Sequence, residues 1–279
     1  MEHLRDEGWL SYAEYILGVG TNMAGDYREA ARLLSSARHR IIHGGVQPPL
    51  SSHVMHLPLM CTFILVNCCF ALGDAEAVEA HHRFSADIAE QTRLPLAQFA
   101  TAFSRGILLL LRDEFSAAEW QLDQALQLLR QNDLMLFTPL VSLCLGLALL
   151  RQARNAEAFA AFSEVKAETE ALGMGSLNLR SRPYVELTAA LIRSTRVSIQ
   201  EFQTVHDLAW RQGYKGLAAE ALVVQGAAML QSAQAHPEAA SVCLRSGLRL
   251  ASELGAVPLM NWASLLLRTI GPVLVEAGD

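Results

Sequence analysis

Aromatic residues are scarce in this sequence, 7% of the chain against 52% hydrophobic residues in which Ala and Leu dominate. That balance argues against a β-sandwich and suits closely packed helices. No stretch shows sustained polar-apolar alternation, so strands are not expected. Long hydrophobic runs are also missing. Leu57 to Leu72 and Leu134 to Leu150 are the most apolar segments, but both fall short of the roughly 20 residues a membrane helix needs. They also carry Asn67 and Pro139, and read as buried helices. The five cysteines, Cys61, Cys68, Cys69, Cys144 and Cys243, are odd in number and sit in apolar runs. They form no disulfide framework and point to small core residues in a reducing compartment. The start, Met1-Glu2-His3-Leu4-Arg5-Asp6, lacks the basic-then-apolar order of a signal peptide, so the cytoplasm is the expected location. Lysine occurs only at 166 and 215, and the net charge of −6 gives the whole chain no electrostatic footprint for nucleic acid or anionic lipid.

What is present is a repeat. Gly18 is followed by Gly25-Asp26-Tyr27, then Ala30, Leu34 and Ala37; Gly106 by Asp113-Glu114-Phe115, then Ala118, Leu122 and Ala125; Gly146 by Asn155, then Ala158 and Phe162. A small residue on one helix lets a second approach, a turn reverses the chain, and a small residue on the second helix packs back. The offset is the same in Gly18 to Ala30, Gly106 to Ala118 and Gly146 to Ala158. Weaker copies are read at Cys68 with Ala80 and Phe84, and at Ala227 with Ala239, where Pro237 suits a first helical turn. A fifth pair, around Ala190 and from Gln200 to Trp210, keeps only the hydrophobic period. Gly44 to Ser52, with Pro48 and Pro49, reads as a longer loop, and Gly173-Met174-Gly175-Ser176 followed by Arg182-Pro183 as another.

This pattern resembles the tetratricopeptide repeat over nearly the whole chain. Its spacing is about forty residues rather than thirty-four, and the leading Trp and terminal Pro of the repeat are missing. Lengthened repeats of this kind are similar to the helical arrays of bacterial signal-transducing ATPase regulators. The resemblance implies an all-α fold, a right-handed superhelix of about six antiparallel hairpins with a C-terminal capping helix. As one domain, 1–279, the hairpins are expected near 8–43, 54–92, 96–131, 135–172, 183–212 and 216–255. The cap is expected over 258–270, ended by Gly271-Pro272.

In such arrays the first helix of each pair lines a concave wall that holds peptides. By register that wall comprises Tyr12, Tyr15, Asn22 and Asp26; Phe103, Ile107, Leu110 and Glu114; Leu143, Leu147, Leu150, Arg151 and Arg154; and Tyr184 and Leu187. An uncovered apolar wall of that length implies a partner, unless its leucines pack against neighbouring repeats. Arg151 and Arg154 suggest an acidic residue on that partner. Metal and cofactor sites are not expected: His53, His56 and Cys61 lack four-ligand spacing, and adjacent His81 and His82 read as helix-surface residues. The phosphate-loop, nucleophile-elbow and zinc-helix motifs are all missing, so an enzyme is not expected. The expected function is a scaffold binding a protein or peptide, as the regulatory region of a larger signalling or multi-subunit protein. A small-ligand sensor and a self-assembling repeat, hence a homo-oligomer, are the alternatives.

Overall fold

The computed structural model describes residues 2–44, 56–193, 198–231 and 236–276. Thirteen α-helices and no strand occur among them, and they gather into two compact units, Met1–Met135 and Leu136–Asp279. The first unit contains α1 (Glu2–Ala24), α2 (Tyr27–Gly44), α3 (Leu57–Leu72), α4 (Ala75–Thr92), α5 (Pro95–Leu111) and α6 (Phe115–Gln131). The second contains α7 (Thr138–Arg151), α8 (Asn155–Ala171), α9 (Gly175–Arg193), α10 (Ile199–Arg211), α11 (Lys215–Gln231), α12 (Pro237–Leu254) and α13 (Val257–Glu276). Within each unit the helices pack chiefly on their neighbours in sequence, as successive antiparallel hairpins do.

The hairpin turn has one recurring geometry. Gly25, Gly73, Asp113 and Ala153 occupy the same place in four turns, each with φ between 58° and 90°, and each reverses the chain between two helices. After Gly25 and Gly73, an aspartate caps the next helix: Asp26 Oδ1 accepts from the Glu29 N–H at 3.2 Å and Asp74 Oδ1 from the Ala77 N–H at 2.9 Å. Such a cap contributes about 1 kcal/mol.

The small residues of the repeat make room for a large one four positions beyond the buried small residue of the second helix. A Cβ on Gly18 would lie 2.6 Å from Leu34 Cγ, on Gly106 2.8 Å from Leu122 and on Gly146 2.5 Å from Phe162. The last hairpin makes the same contact through Gly226, whose added Cβ would meet Leu244 at 2.6 Å. Its pair is therefore Gly226 with buried Ala240, not Ala227 with Ala239, which is exposed. The second hairpin needs a similar correction. Ala80 is exposed, and the buried residues that stand at the repeat's offset there are Val66 and Val78, which keep the spacing but not the small size.

Two expected helix breaks are absent. Arg182-Pro183 lies inside α9, so only Leu172, Gly173 and Met174 separate α8 from it. Gly271-Pro272 does not end α13, which runs on to Glu276. A proline removes one donor, and it can be carried within a helix whose buried face is held on both sides; Pro183 is itself buried between Arg182 and Tyr184. The loop expected around Pro48 and Pro49 lies, from Gly45 onward, outside the described residues. At the other end α13 packs on α12 and α11 around Val223, Leu244, Ala263 and Ile270, as a capping helix does. Among the described residues no helix is long and apolar enough to cross a membrane.

Candidate functional site

Most of the expected wall is core. Phe103, Ile107 and Leu143 are wholly buried, and Tyr15, Leu110, Tyr184 and Leu187 nearly so. Burial pushes Tyr15 up to about 12. Phe103 stacks with Phe99 and tilts against Phe63, and Tyr184 stacks on Phe162 at 4.9 Å while its hydroxyl donates to Glu220 at 2.6 Å. Leu147 and Leu150 pack partly buried on the same cluster as Leu143 and Phe162. Asn22 accepts from the Cys68 thiol at 3.2 Å, and Tyr12 tilts against Tyr15. Arg154 is held by Glu157 at 2.7 Å, so it has no free charge to offer an acidic partner. Of the set, Arg151, Asp26 and Glu114 are exposed. Inner helices bury that face on their neighbours, which leaves little of the expected apolar wall to cover.

The histidine reading also changes. His81 is buried and His82 half-buried, with His82 Nδ1 3.2 Å from both the Thr101 carbonyl and Ser104 Oγ of α5. His56 caps α3, and His53 lies outside the described residues. No three His, Cys, Asp or Glu side chains converge as a metal site among the described residues. Burial pushes the Cys61, Cys68 and Cys144 thiols up to about 12 and Cys69 to about 11, which disfavours the reactive thiolate at these four.

Uncovered apolar surface lies instead on the outer face of α1. Trp9, Ile16 and Leu17 are 55%, 49% and 59% exposed, and Leu10 is exposed beside them. Trp9 and Ile16, Leu10 and Leu17, and Ala13 and Gly20 each stand seven residues apart, so they form one stripe. Every residue in this stripe is uncharged, the nearby Glu14 being turned to Arg40 on α2.

The repeat shows what such a face receives. Aligned on Gly18, Val66 and Gly106, the counterparts of Ala13, Leu17 and Gly20 in α3 are Cys61, Leu65 and Cys68, all buried. Cys68 meets Asn22 of the preceding hairpin. The counterparts of Ala13 and Ile16 in α5 are Thr101 and Ser104, the residues that His82 of the preceding hairpin contacts. On inner helices this face is the seat of the preceding hairpin; on α1 it carries large apolar side chains and is open. Its signal in the sequence was the seven-residue recurrence on a helix whose opposite face is also apolar.

These features define a tetratricopeptide-like helical repeat protein. No protein-family model matches the chain, and no curated protein matches its sequence. Among solved structures it is similar to a signal transduction ATPase with numerous domains, from Pyrococcus horikoshii, that carries a tetratricopeptide repeat sensor: TM-score 0.51, 15% identity, over 94% of this chain and 39% of that one. It is also similar to the apo form of RapI, with TM-score 0.53 and 10% identity over 96% of this chain and 72% of that one. The chain thus spans well under half the length of the archaeal ATPase, and at these identities the likeness is one of fold.

Proposed function

We propose that this chain is a non-enzymatic protein-binding repeat, acting in the cytoplasm, whose partner lays a helix along the outer face of α1. The observation that carries this reading is the uncharged stripe of Trp9, Leu10, Ala13, Ile16, Leu17 and Gly20, at positions that inner helices cover with a neighbouring hairpin. A monomer gains nothing by exposing large side chains there. The repeat of the archaeal ATPase, described as a sensor, fits a module that reports a bound partner to a larger protein.

A second copy of this chain is the other occupant that the surface favours, because an uncharged stripe facing itself meets no like-charge repulsion. The test is an Ile16→Glu, Leu17→Glu double variant, compared with the parent by capture from native extract and by sedimentation over a range of concentrations. The variant should lose the captured protein, or the concentration-dependent dimer, while its melt stays unchanged. Identical capture and sedimentation in both forms would remove α1 as the binding face.

A further inference from the structure

We propose that Arg38 anchors a second site, a cleft along α2 that binds a single organic carboxylate. The carboxylate would be carried by an acidic side chain of a bound peptide or by a small organic acid. Arg38 lies on the inward side of α2, four residues after the wholly buried Leu34. Its guanidinium lies over the Phe84 ring at 4.9 Å, and Nη1 donates to Thr62 Oγ1 and to His81 Nδ1, each at 3.1 Å. Thr62 itself donates to the Pro58 carbonyl at 2.8 Å, which leaves its oxygen as the acceptor. Since arginine only donates, His81 Nδ1 accepts and the ring carries its proton on Nε2.

These contacts occupy one nitrogen. Nε and Nη2, the edge that grips a carboxylate through two parallel bonds, have no partner among the described residues, and no carboxylate pairs with Arg38 there. The same edge is used elsewhere in the molecule: Arg32 holds Glu29 through Nε and Nη2, and Arg154 holds Glu157 likewise. Residues 45–55, which join α2 to α3, contain neither Asp nor Glu, so that stretch supplies no counter-charge from within the hairpin connection. A half-buried cation without a counter-ion is costly, and an arriving carboxylate removes the cost.

The surroundings set the class of ligand. Ser35, Ser36, Arg38, His39, His43 and Phe84 border a cavity of about 890 Å³, room for a side chain or a small organic acid. Arg40 also borders it, but Glu7 and Glu14 already neutralise it, at 2.9 and 3.3 Å. A single open guanidinium edge, with the Glu7 and Glu14 carboxylates close by on Arg40, matches a singly charged carboxylate better than a phosphate dianion. Phe84 and Ile42 give an apolar body somewhere to rest. This site stands independently of the reading of α1.

The test uses the full chain and two matched pairs of probes: benzoate against benzamide, and the blocked peptide Ala-Leu-Glu-Leu-Ala against its Gln counterpart, by calorimetric or NMR titration. At least one charged probe should bind saturably and at least tenfold more tightly than its neutral twin. Benzoate alone binding assigns a small acid; the glutamyl peptide alone binding assigns an acidic segment. Arg38→Met should lose that preference while its melting temperature holds or rises, since the variant removes an unpaired charge and keeps the aliphatic packing on Phe84. Equal binding of charged and neutral probes, no binding of either, or unchanged binding in Arg38→Met would overturn the proposal. So would a markedly lower melt in Arg38→Met, which would make the arginine a structural residue. Ile16→Glu should bind these probes like the parent, which separates failure of this site from failure of the α1 face.

Discussion

Gly18 and Gly20 stand two residues apart on α1 and have opposite reasons to be glycine. An added methyl at Gly18 drives into Leu34 at 2.6 Å, whereas nothing lies within 4 Å of the same methyl at Gly20. Gly18→Ala should therefore destabilise the protein by about 1–3 kcal/mol through overpacking. Gly20→Ala should stabilise it by about 0.5–1 kcal/mol, because a helix gains by losing glycine's unfolded-state freedom. Chemical denaturation of the two variants checks both signs. His81 provides a second test at this scale. Burial, then the Arg38 charge, holds it down from its ordinary 6.5 to about 4, against a weaker upward pull from Asp74. Between those values the unfolded chain binds the proton and the folded chain does not, so stability rises with pH. It is fully present above pH 6.5 and lost as pH falls towards 4, by about 3 kcal/mol in all. His81→Gln, which can still accept from Arg38, should remove that part of the acid sensitivity in melts run from pH 7 to pH 4.

At the scale of the element, the hairpin turn is more constant than the residues that fill it. The left-handed position is glycine in two copies but Asp113 in the third and Ala153 in the fourth, at φ 58° in each. A β-carbon in that conformation costs about 1–2 kcal/mol, and Ala153 has no side-chain hydrogen bond to offset it. Ala153→Gly should stabilise the second unit by about 1 kcal/mol, read as a shift of the denaturation midpoint at constant slope. Gly25→Ala should lose a similar amount. The second hairpin keeps the same turn at Gly73 although the buried residues at the repeat's offset, Val66 and Val78, are not small.

For the whole molecule, the uncovered stripe of α1 separates stability from binding. Exposed positions contribute little to folding, so the Ile16→Glu, Leu17→Glu variant should melt within about 0.5 kcal/mol of the parent. A loss of several kcal/mol would mean that these side chains are packed in the folded protein. The same logic explains why the expected peptide wall was misplaced. Leu143 and Ile107 are just as apolar as Ile16 and Leu17, but they are wholly buried, Leu143 in one cluster with Phe162 of its own hairpin and Tyr184 of the next, whereas Ile16 and Leu17 are exposed.

The helical class, the six hairpins and the closing helix were all legible in the chain, because the 3.6-residue period and the fixed offset from Gly18 to Ala30, Gly106 to Ala118 and Gly146 to Ala158 are local properties of sequence. The apolar setting of Cys61 and Cys68 was legible for the same reason, since their neighbours in sequence lie on the same helix, and burial there raises both thiols. Burial was not. Whether a face of a helix is core or surface depends on what packs across it, and that is a contact between residues far apart in the chain. Arg38 makes the point most directly: its place four residues after Leu34 puts it on the inward stripe, but only the folding of α2 onto α3 and α4 brings Thr62, His81 and Phe84 around it. A lone arginine in a helix is an ordinary surface residue by composition. The tertiary structure made it a half-buried cation with no carboxylate partner among the described residues, because dehydration and pairing are decided by neighbours that no single helix contains.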